Sequence, residues 1–398
     1  MVTNRRTRTA VVGAALTGLI SVLPIAPAHA ATTPMGWESG ALGLPSAQQL
    51  SQGEGVTVAV LDTGVVADHP ALKGRVTTGP DYRKDGLDSQ SPEWGVHGTA
   101  MASDVLKVAP KAKILSVRVL ADQDKAKAED GEVQRTPDGS PIANGVFYAV
   151  DHGADVISMS LGTGAVGNYP EADDVAAIGY ALSHGVPVLA SAGNSGDELN
   201  EIGFPAGYAG AIAVAATNQS GVRASFSTVH TYNEVAAPGV EINSAKNTGG
   251  FGPVDGTSPA CALASGVVAL MLSHNPKLTP AQTRAILTST ARHPQGGWNA
   301  FVGYGQINAA AAVKAAASPA ADKTVPVKYK GKEHFGTPVG TSTTKHPPME
   351  QSLWLTGLGA AAVGLLMLAG GVLLVAGGRR KRSATTVMAP PPGPFRAS

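Results

Sequence analysis

Five short stretches of this chain, at 56–61, 114–120, 156–161, 186–191 and 211–216, are almost continuously apolar. A strand with one wet face alternates polar and apolar residues, whereas a strand buried on both faces does not. The runs therefore predict a parallel sheet covered on both sides. Helical patterns separate them. One spans 142–152 and stops at Gly153, and another spans 173–184 and stops at Gly185. Glycine is the usual residue at such a helix end, where the backbone turns left-handed. A helix also starts near His97, and the stretch 259–272 carries apolar or small residues on every face, as a helix buried all round requires. These elements place one α/β domain over about residues 37–314. No fixed-period repeat interrupts it.

Composition agrees and excludes other classes. Hydrophobic residues make up 43% of the chain and charged residues 15%, too apolar for a disordered polymer. The formal net charge of +1 leaves no global basic field to hold nucleic acid. Cys261 is the single cysteine, so an intrachain disulfide framework and a thiolate zinc cluster are both excluded.

Two apolar segments outside the domain set the expected compartment. Arg5, Arg6 and Arg8 precede an apolar run at 10–25, and Ala28-His29-Ala30 follows as a small-residue cleavage signal. That pattern is a secretory signal peptide over 1–30, with an uncleaved anchor as the alternative. Arg5-Arg6 has some likeness to a twin-arginine export signal, but Thr7-Arg8 matches it poorly. Residues 353–376 carry no charge, and as a helix they reach about 36 Å, enough to cross a bilayer. Trp354 stands at one edge, and Arg379, Arg380, Lys381 and Arg382 follow the other. Basic residues stay on the cytoplasmic side. The expectation is a single-pass protein of the cell membrane, its domain (31–317) outside and its tail (377–398) in the cytoplasm. Residues 318–352, rich in Pro, Lys and Thr, join them as an extended stalk. The patternless stretch 121–141 is expected to be a solvated excursion or, alternatively, a processing or partner site. Its acidic residues Asp122, Asp124, Glu129 and Asp130 are assigned to that solvated charge.

Four short motifs sit at strand ends or helix starts. Asp62-Thr63-Gly64 follows the first apolar run, where open α/β sheets place ligands. His97-Gly98-Thr99 opens a helix made of small residues. Ser191-Ala192-Gly193-Asn194-Ser195-Gly196 follows the fourth run, and an uncharged amide such as Asn194 can hold an oxyanion. Gly256-Thr257-Ser258 opens the buried helix. Ser258 is expected at its N-cap, with Pro259 at the first helical position, and the free Ser258 N–H is a second oxyanion donor. Each motif alone has an ordinary structural explanation. Together, in the order Asp, His, Asn, Ser, they follow one of the known chain orders of the serine-hydrolase triad. An aspartic-protease reading of Asp62-Thr63-Gly64 lacks the second carboxylate that such a site needs.

At this point the chain resembles the subtilisin-like serine proteases, or subtilases. The resemblance runs from about Gly53 to His274, more weakly to Ala312, through VAVLDTGV, HGTAMAS, APKAKILSVRVL, AVDHGADVISMSLG, VPVLASAGNSG, FPAGYAGAIAVAAT, EVAAPGVEI and DGTSPACALASGVVALML. It implies a three-layer α/β fold with a mostly parallel sheet and Asp62, His97 and Ser258 as the catalytic triad. It further implies Asn194 in the oxyanion hole and an extended edge at Ser160, Leu161 and Gly162 that pairs with a protein or peptide substrate. Pro259, Ala262 and Ala100 depart from common family choices and bear on pocket shape rather than on the reaction. Within the family the chain is most similar to the membrane-anchored mycosins associated with type VII secretion. That likeness rests on the leader, the HGTAMAS and GTSPA forms, the C-terminal anchor and the lack of room between Ala31 and Asp62 for a folded prodomain. No cofactor or metal is expected, because no acidic cluster has the ligand count of a calcium site. A secretion-complex scaffold with little or no turnover is the alternative function.

Overall fold

The computed structural model describes residues 34–122, 139–162, 170–322 and 351–382. The expected leader, most of the 121–141 excursion, most of the stalk and the end of the tail lie outside them.

All five apolar runs are strands of one sheet: β1 (Thr57–Asp62), β3 (Lys113–Arg118), β4 (Val156–Met159), β5 (Val188–Ser191) and β6 (Ile212–Thr217). Two further strands flank them, β2 (Val76–Asp81) and β7 (Asn233–Pro238), giving the order β2-β3-β1-β4-β5-β6-β7 with every neighbouring pair parallel. The two edge strands are the ones the apolar pattern does not announce. β2 is bonded on one side only and stays partly exposed, so a polar VTTGPD suffices. In β7 the apolar run is cut short by Glu234 and Pro238, and Pro is tolerated at an edge. A separate hairpin joins β8 (Ile242–Ala245) to β9 (Phe251–Val254).

Alternation within β1 divides the core. Val58 and Val60 pack with helices α3 (Val96–Val108) and α6 (Thr257–His274), while Ala59 and Leu61 pack with α4 (Pro141–Asp151) and α5 (Ala172–Ser183). Helices α1 (Trp37–Leu42), α2 (Leu44–Leu50), α7 (Pro280–Thr290) and α8 (Ala309–Ala316) complete the first layer. The result is a three-layer fold with the sheet in the middle.

The core of the first layer is α6, buried on all sides from Pro259 to Leu272. It lies against α3 so closely that a methyl group on Gly266 would fall 2.6 Å from Val108 Cβ. Gly266 lies eight residues beyond Ser258, and its neighbours Val105 and Val108 lie eight and eleven beyond His97. Ser258 bonds Ser160 beyond the end of β4 and Ser265 bonds Ser158 within it, while His97 bonds Asp62 at the end of β1 and Ala109 lies against Gly53 ahead of it. Both helices therefore run back along parallel strands, and their N-termini emerge at the carboxyl ends. The far end of α3 is fixed by a wholly buried cluster. Lys107 Nζ lies 3.0 Å from Glu38 Oε1 and 3.3 Å from Asp104 Oδ1. Burial pushes the Asp104 carboxyl up to about 6, against the pull of Lys107.

Among the described residues two helices are long and apolar enough to cross a membrane. In α6 the apolar residues are consumed by the core. In α9 (Gln351–Arg382) the apolar stretch Gln351–Leu374 has a mean hydropathy of 2.1 and none of it is buried.

Candidate active site

The strand order reverses at β1, and ligands of open α/β sheets sit outside the carboxyl ends of the strands at that point. Asp62, the last residue of β1, is 1% exposed there. Its Oδ1 accepts the Thr63 N–H at 2.7 Å and lies 2.8 Å from His97 Nδ1. His97 is the second residue of α3 and keeps 31% of its side chain exposed. Close approach of α3 to the end of β1 depends on glycine: a Cβ on Gly98 would meet Gly64 O at 2.1 Å. The Gly98 N–H is taken by the Thr63 hydroxyl at 3.1 Å.

Burial alone would push the His97 imidazole down. The charge and hydrogen bond of Asp62, together with the charges of Asp122 and Asp104, outweigh it and hold the ring above its ordinary 6.5. With Nδ1 facing the carboxylate, the remaining ring nitrogen, Nε2, is free to take a proton.

Ser258 stands at the N-terminus of α6 but not at its N-cap. The helix begins one residue earlier, at Thr257, with Gly256 as N-cap (φ 151°). The expected N-cap is displaced because a distant side chain does that work. Asn194 Oδ1 accepts both the Thr257 N–H at 2.8 Å and the Thr257 hydroxyl at 2.9 Å. Pro259 then falls in the first turn, where no N–H is needed, and does not hold Ser258 out of the helix. The Ser258 N–H has no partner within the helix, as for any first-turn donor.

The same contacts orient Asn194. Its carbonyl end is held by Thr257, and Thr257 Oγ1 in turn accepts the Gly193 N–H at 3.1 Å. Among the described residues nothing accepts from the amide NH2, and Asn194 is exposed beside the start of α6.

Ser258 and Ser160 are bonded reciprocally. The Ser258 hydroxyl donates to Ser160 O at 3.2 Å, and the Ser160 hydroxyl donates to Ser258 O at 2.9 Å. Among the described residues no hydrogen bond joins Ser258 to His97, so the Asp62–His97 half of the expected triad is in contact and the Ser258 half is not. Catalytic hydrogen bonds often form only in the substrate complex. Leu161 is buried and its carbonyl takes the Ser191 hydroxyl at 3.1 Å, while Gly162 faces solvent just beyond β4.

Three contributors escaped the sequence reading. Thr257 is fully buried and ties the Asn194 turn to α6. Arg118 is 2% exposed and props the Asp62 loop from below. Its Nε donates to Thr63 O at 3.2 Å, its guanidinium grips Asp85 through two 2.8 Å bonds and Asp81 at 2.9 Å, and it lies 4.9 Å from the Trp94 ring centroid. The hydrogen bond from Arg118 keeps the Asp85 carboxyl below the usual range. Asp122 is not a solvated charge. Its Oδ1 accepts the His97 N–H at 2.9 Å and its Oδ2 the Val96 N–H at 3.1 Å. An acidic residue just past the end of a central strand was the available signal, the same one that marked Asp62. Among the described residues no group of three or more His, Cys, Asp or Glu is arranged to hold a metal ion.

Comparison with known proteins identifies the family. The profile of the Subtilase family matches residues 53–305. Thermitase from Thermoactinomyces vulgaris is 36% identical over 280 residues, 68% of this chain and 92% of its own. Subtilisin E of Bacillus subtilis (strain 168) is 37% identical over 272 residues, which make up 66% of each protein. Among solved structures, MycP1 from the ESX-1 type VII secretion system superposes with a TM-score of 0.59 at 28% identity, covering 73% of this chain and 88% of that one. The chain therefore belongs to the subtilase family, as a serine endopeptidase with the three-layer subtilisin fold and a structural likeness to the mycosins.

Proposed function

We propose that this protein is a membrane-anchored, extracytoplasmic endopeptidase that cleaves peptide bonds through an Asp62–His97–Ser258 triad and an acyl-enzyme. The 2.8 Å contact between His97 Nδ1 and Asp62 Oδ1, at the start of a helix running parallel to the one that carries Ser258, is the observation that supports this reading most directly. Ser258 Oγ leaves Ser160 O, gives its proton to His97 Nε2 and bonds to the substrate carbonyl carbon. Asp62 holds the tautomer and balances the imidazolium. The oxyanion is received by the Asn194 amide and the Ser258 N–H. His97 then returns the proton to the leaving amine as the C–N bond breaks, and water, deprotonated by His97, releases the acid from Ser258. The exposed backbone at Gly162, after Ser160 and Leu161, offers main-chain groups to an extended peptide.

The apolar, unburied Gln351–Leu374 stretch and the basic residues after it support an anchor with the tail in the cytoplasm. The likeness to MycP1 supports a place beside a type VII secretion complex. A fluorophosphonate probe tests the chemistry: membranes with the wild-type chain should label, and Ser258→Ala should not. Labelling that survives Ser258→Ala would remove Ser258 as nucleophile. Secretion that persists in Ser258→Ala but fails on deletion would give the protein a scaffold role instead.

A further inference from the structure

The carboxylate of Asp122 occupies a position that the triad does not account for. It straddles two consecutive backbone N–H groups, those of Val96 and His97, at 3.1 and 2.9 Å. These are first-turn donors of α3, whose N-cap residue Gly95 offers no side chain, so Asp122 supplies from another element the acceptor that this end of the helix lacks. The residue bonded through its own N–H is the histidine itself. Two acceptor bonds to adjacent amides leave the first turn little freedom to rotate or slide, and the ring is carried on that turn. The carboxylate is also a negative charge beside the imidazole. The other charges that act on the ring are Asp62 on β1 and Asp104 further along α3; Asp104 is paired with Lys107, and Arg118 on β3 lies at Thr63 in its pairs with Asp81 and Asp85. Of these, Asp62 and Asp122 alone bond to His97.

We propose that Asp122 is a positioning residue for His97: it clamps the first turn of α3 in the register that brings the imidazole to Asp62, and it presents the ring with a second negative charge. The proposal rests on the serine-protease reading above, because it assigns His97 a role whose pH dependence matters. Asp122 bonds the backbone N–H of His97 and not its ring, so its charge stabilises the imidazolium that forms when Ser258 is deprotonated without competing for Nδ1.

Two substitutions separate the clamp from the charge. Asp122→Asn keeps one oxygen acceptor and removes the charge. Asp122→Ala removes both. In the full chain in detergent micelles, ester hydrolysis by Asp122→Asn should show the acid limb of kcat/KM moved down by about half a pH unit, with a smaller loss of kcat than in Asp122→Ala. Asp122→Ala should lose about tenfold or more in kcat, as misplaced catalytic groups do. Imidazole resonances of the same proteins, with His97 identified by its loss in His97→Gln, should titrate about half a unit lower in Asp122→Asn whether or not substrate is turned over. A His97 titration unmoved in Asp122→Asn would overturn the electrostatic half. An Asp122→Ala enzyme within twofold of wild type would overturn the clamp. A wild-type protein that shows no Ser258-dependent turnover, yet whose His97 titration shifts in Asp122→Asn, would leave the positioning intact and sink the protease reading instead.

Discussion

In the proposed mechanism protonating His97 disables it as a base, and its neighbours decide at what pH that happens. Because Asp62, Asp122 and Asp104 hold the ring above its ordinary 6.5, the neutral imidazole is lost earlier on the way down in pH. The acid limb of kcat/KM for a small ester should therefore have its midpoint above 6.5, and a midpoint at or below that value would contradict the electrostatics described. The sign for stability is the opposite. Protonation favours the fold, so this contribution is present below 6.5 and is lost as pH rises through the raised value. Asn194 carries a second expectation at this scale. Its carbonyl end is fixed by Thr257, so Asn194→Ala deletes an aimed donor and should lower kcat by about 10²–10³, the loss seen when one oxyanion donor is removed in this enzyme class. A loss under threefold in steady-state kinetics would remove Asn194 from the site. Both residues were legible before folding was considered, from type and place at an element's end. Asp122 was legible as an acid but not as a partner, because its bonds cross to a different helix.

The elements matter through how closely they approach. The contact between α3 and α6 puts Gly266 against Val105 and Val108 with no space for a methyl group. Gly266→Ala should thus cost about 1–3 kcal/mol, the usual price of overpacking, seen as a lower midpoint in thermal unfolding. It should also lower kcat, since any separation of the helices moves His97 and Ser258 apart. A variant as stable and active as wild type would show that the helix seam can yield. The five central strands could be read from the sequence because both their faces must be apolar. The edge strands β2 and β7 could not: β2 is bonded on one side and tolerates Thr, Gly and Pro, while the other side of β7 is covered by the irregular 304–307 segment, which leaves Glu234 and Pro238 in its run. The helix caps were misread where the cap comes from afar. Local rules place Ser258 at the N-cap, whereas Asn194, 63 residues from Thr257, caps the helix in its place.

For the molecule as a whole, the apolar stretch in α9 is the feature the folded domain leaves unused. α6 also is long and apolar enough to span and yet is buried, so those two properties alone do not distinguish a core helix from a span. Deleting residues 351–398 should move the protein from the membrane pellet to the supernatant after export, with hydrolysis of a soluble ester unchanged within about twofold. Truncated protein that stays in the pellet would point to attachment elsewhere, for instance through an uncleaved leader. The mostly neutral chain offers no large charge field to do that work.

Residue type and period by themselves determined that this chain builds a parallel sheet buried on both faces, and that an acid, an imidazole, an amide and a hydroxyl stand at the ends of its elements. Those properties are local, since each depends only on what a few neighbouring residues can bury or bond. Which of those groups meet was decided by the tertiary structure. The parallel run of α3 and α6, the Thr257–Asn194 clasp, the Arg118 prop and the seat of Asp122 on the His97 amide each join residues from separate elements, and a hydrogen bond between distant segments leaves no trace in the local pattern of either.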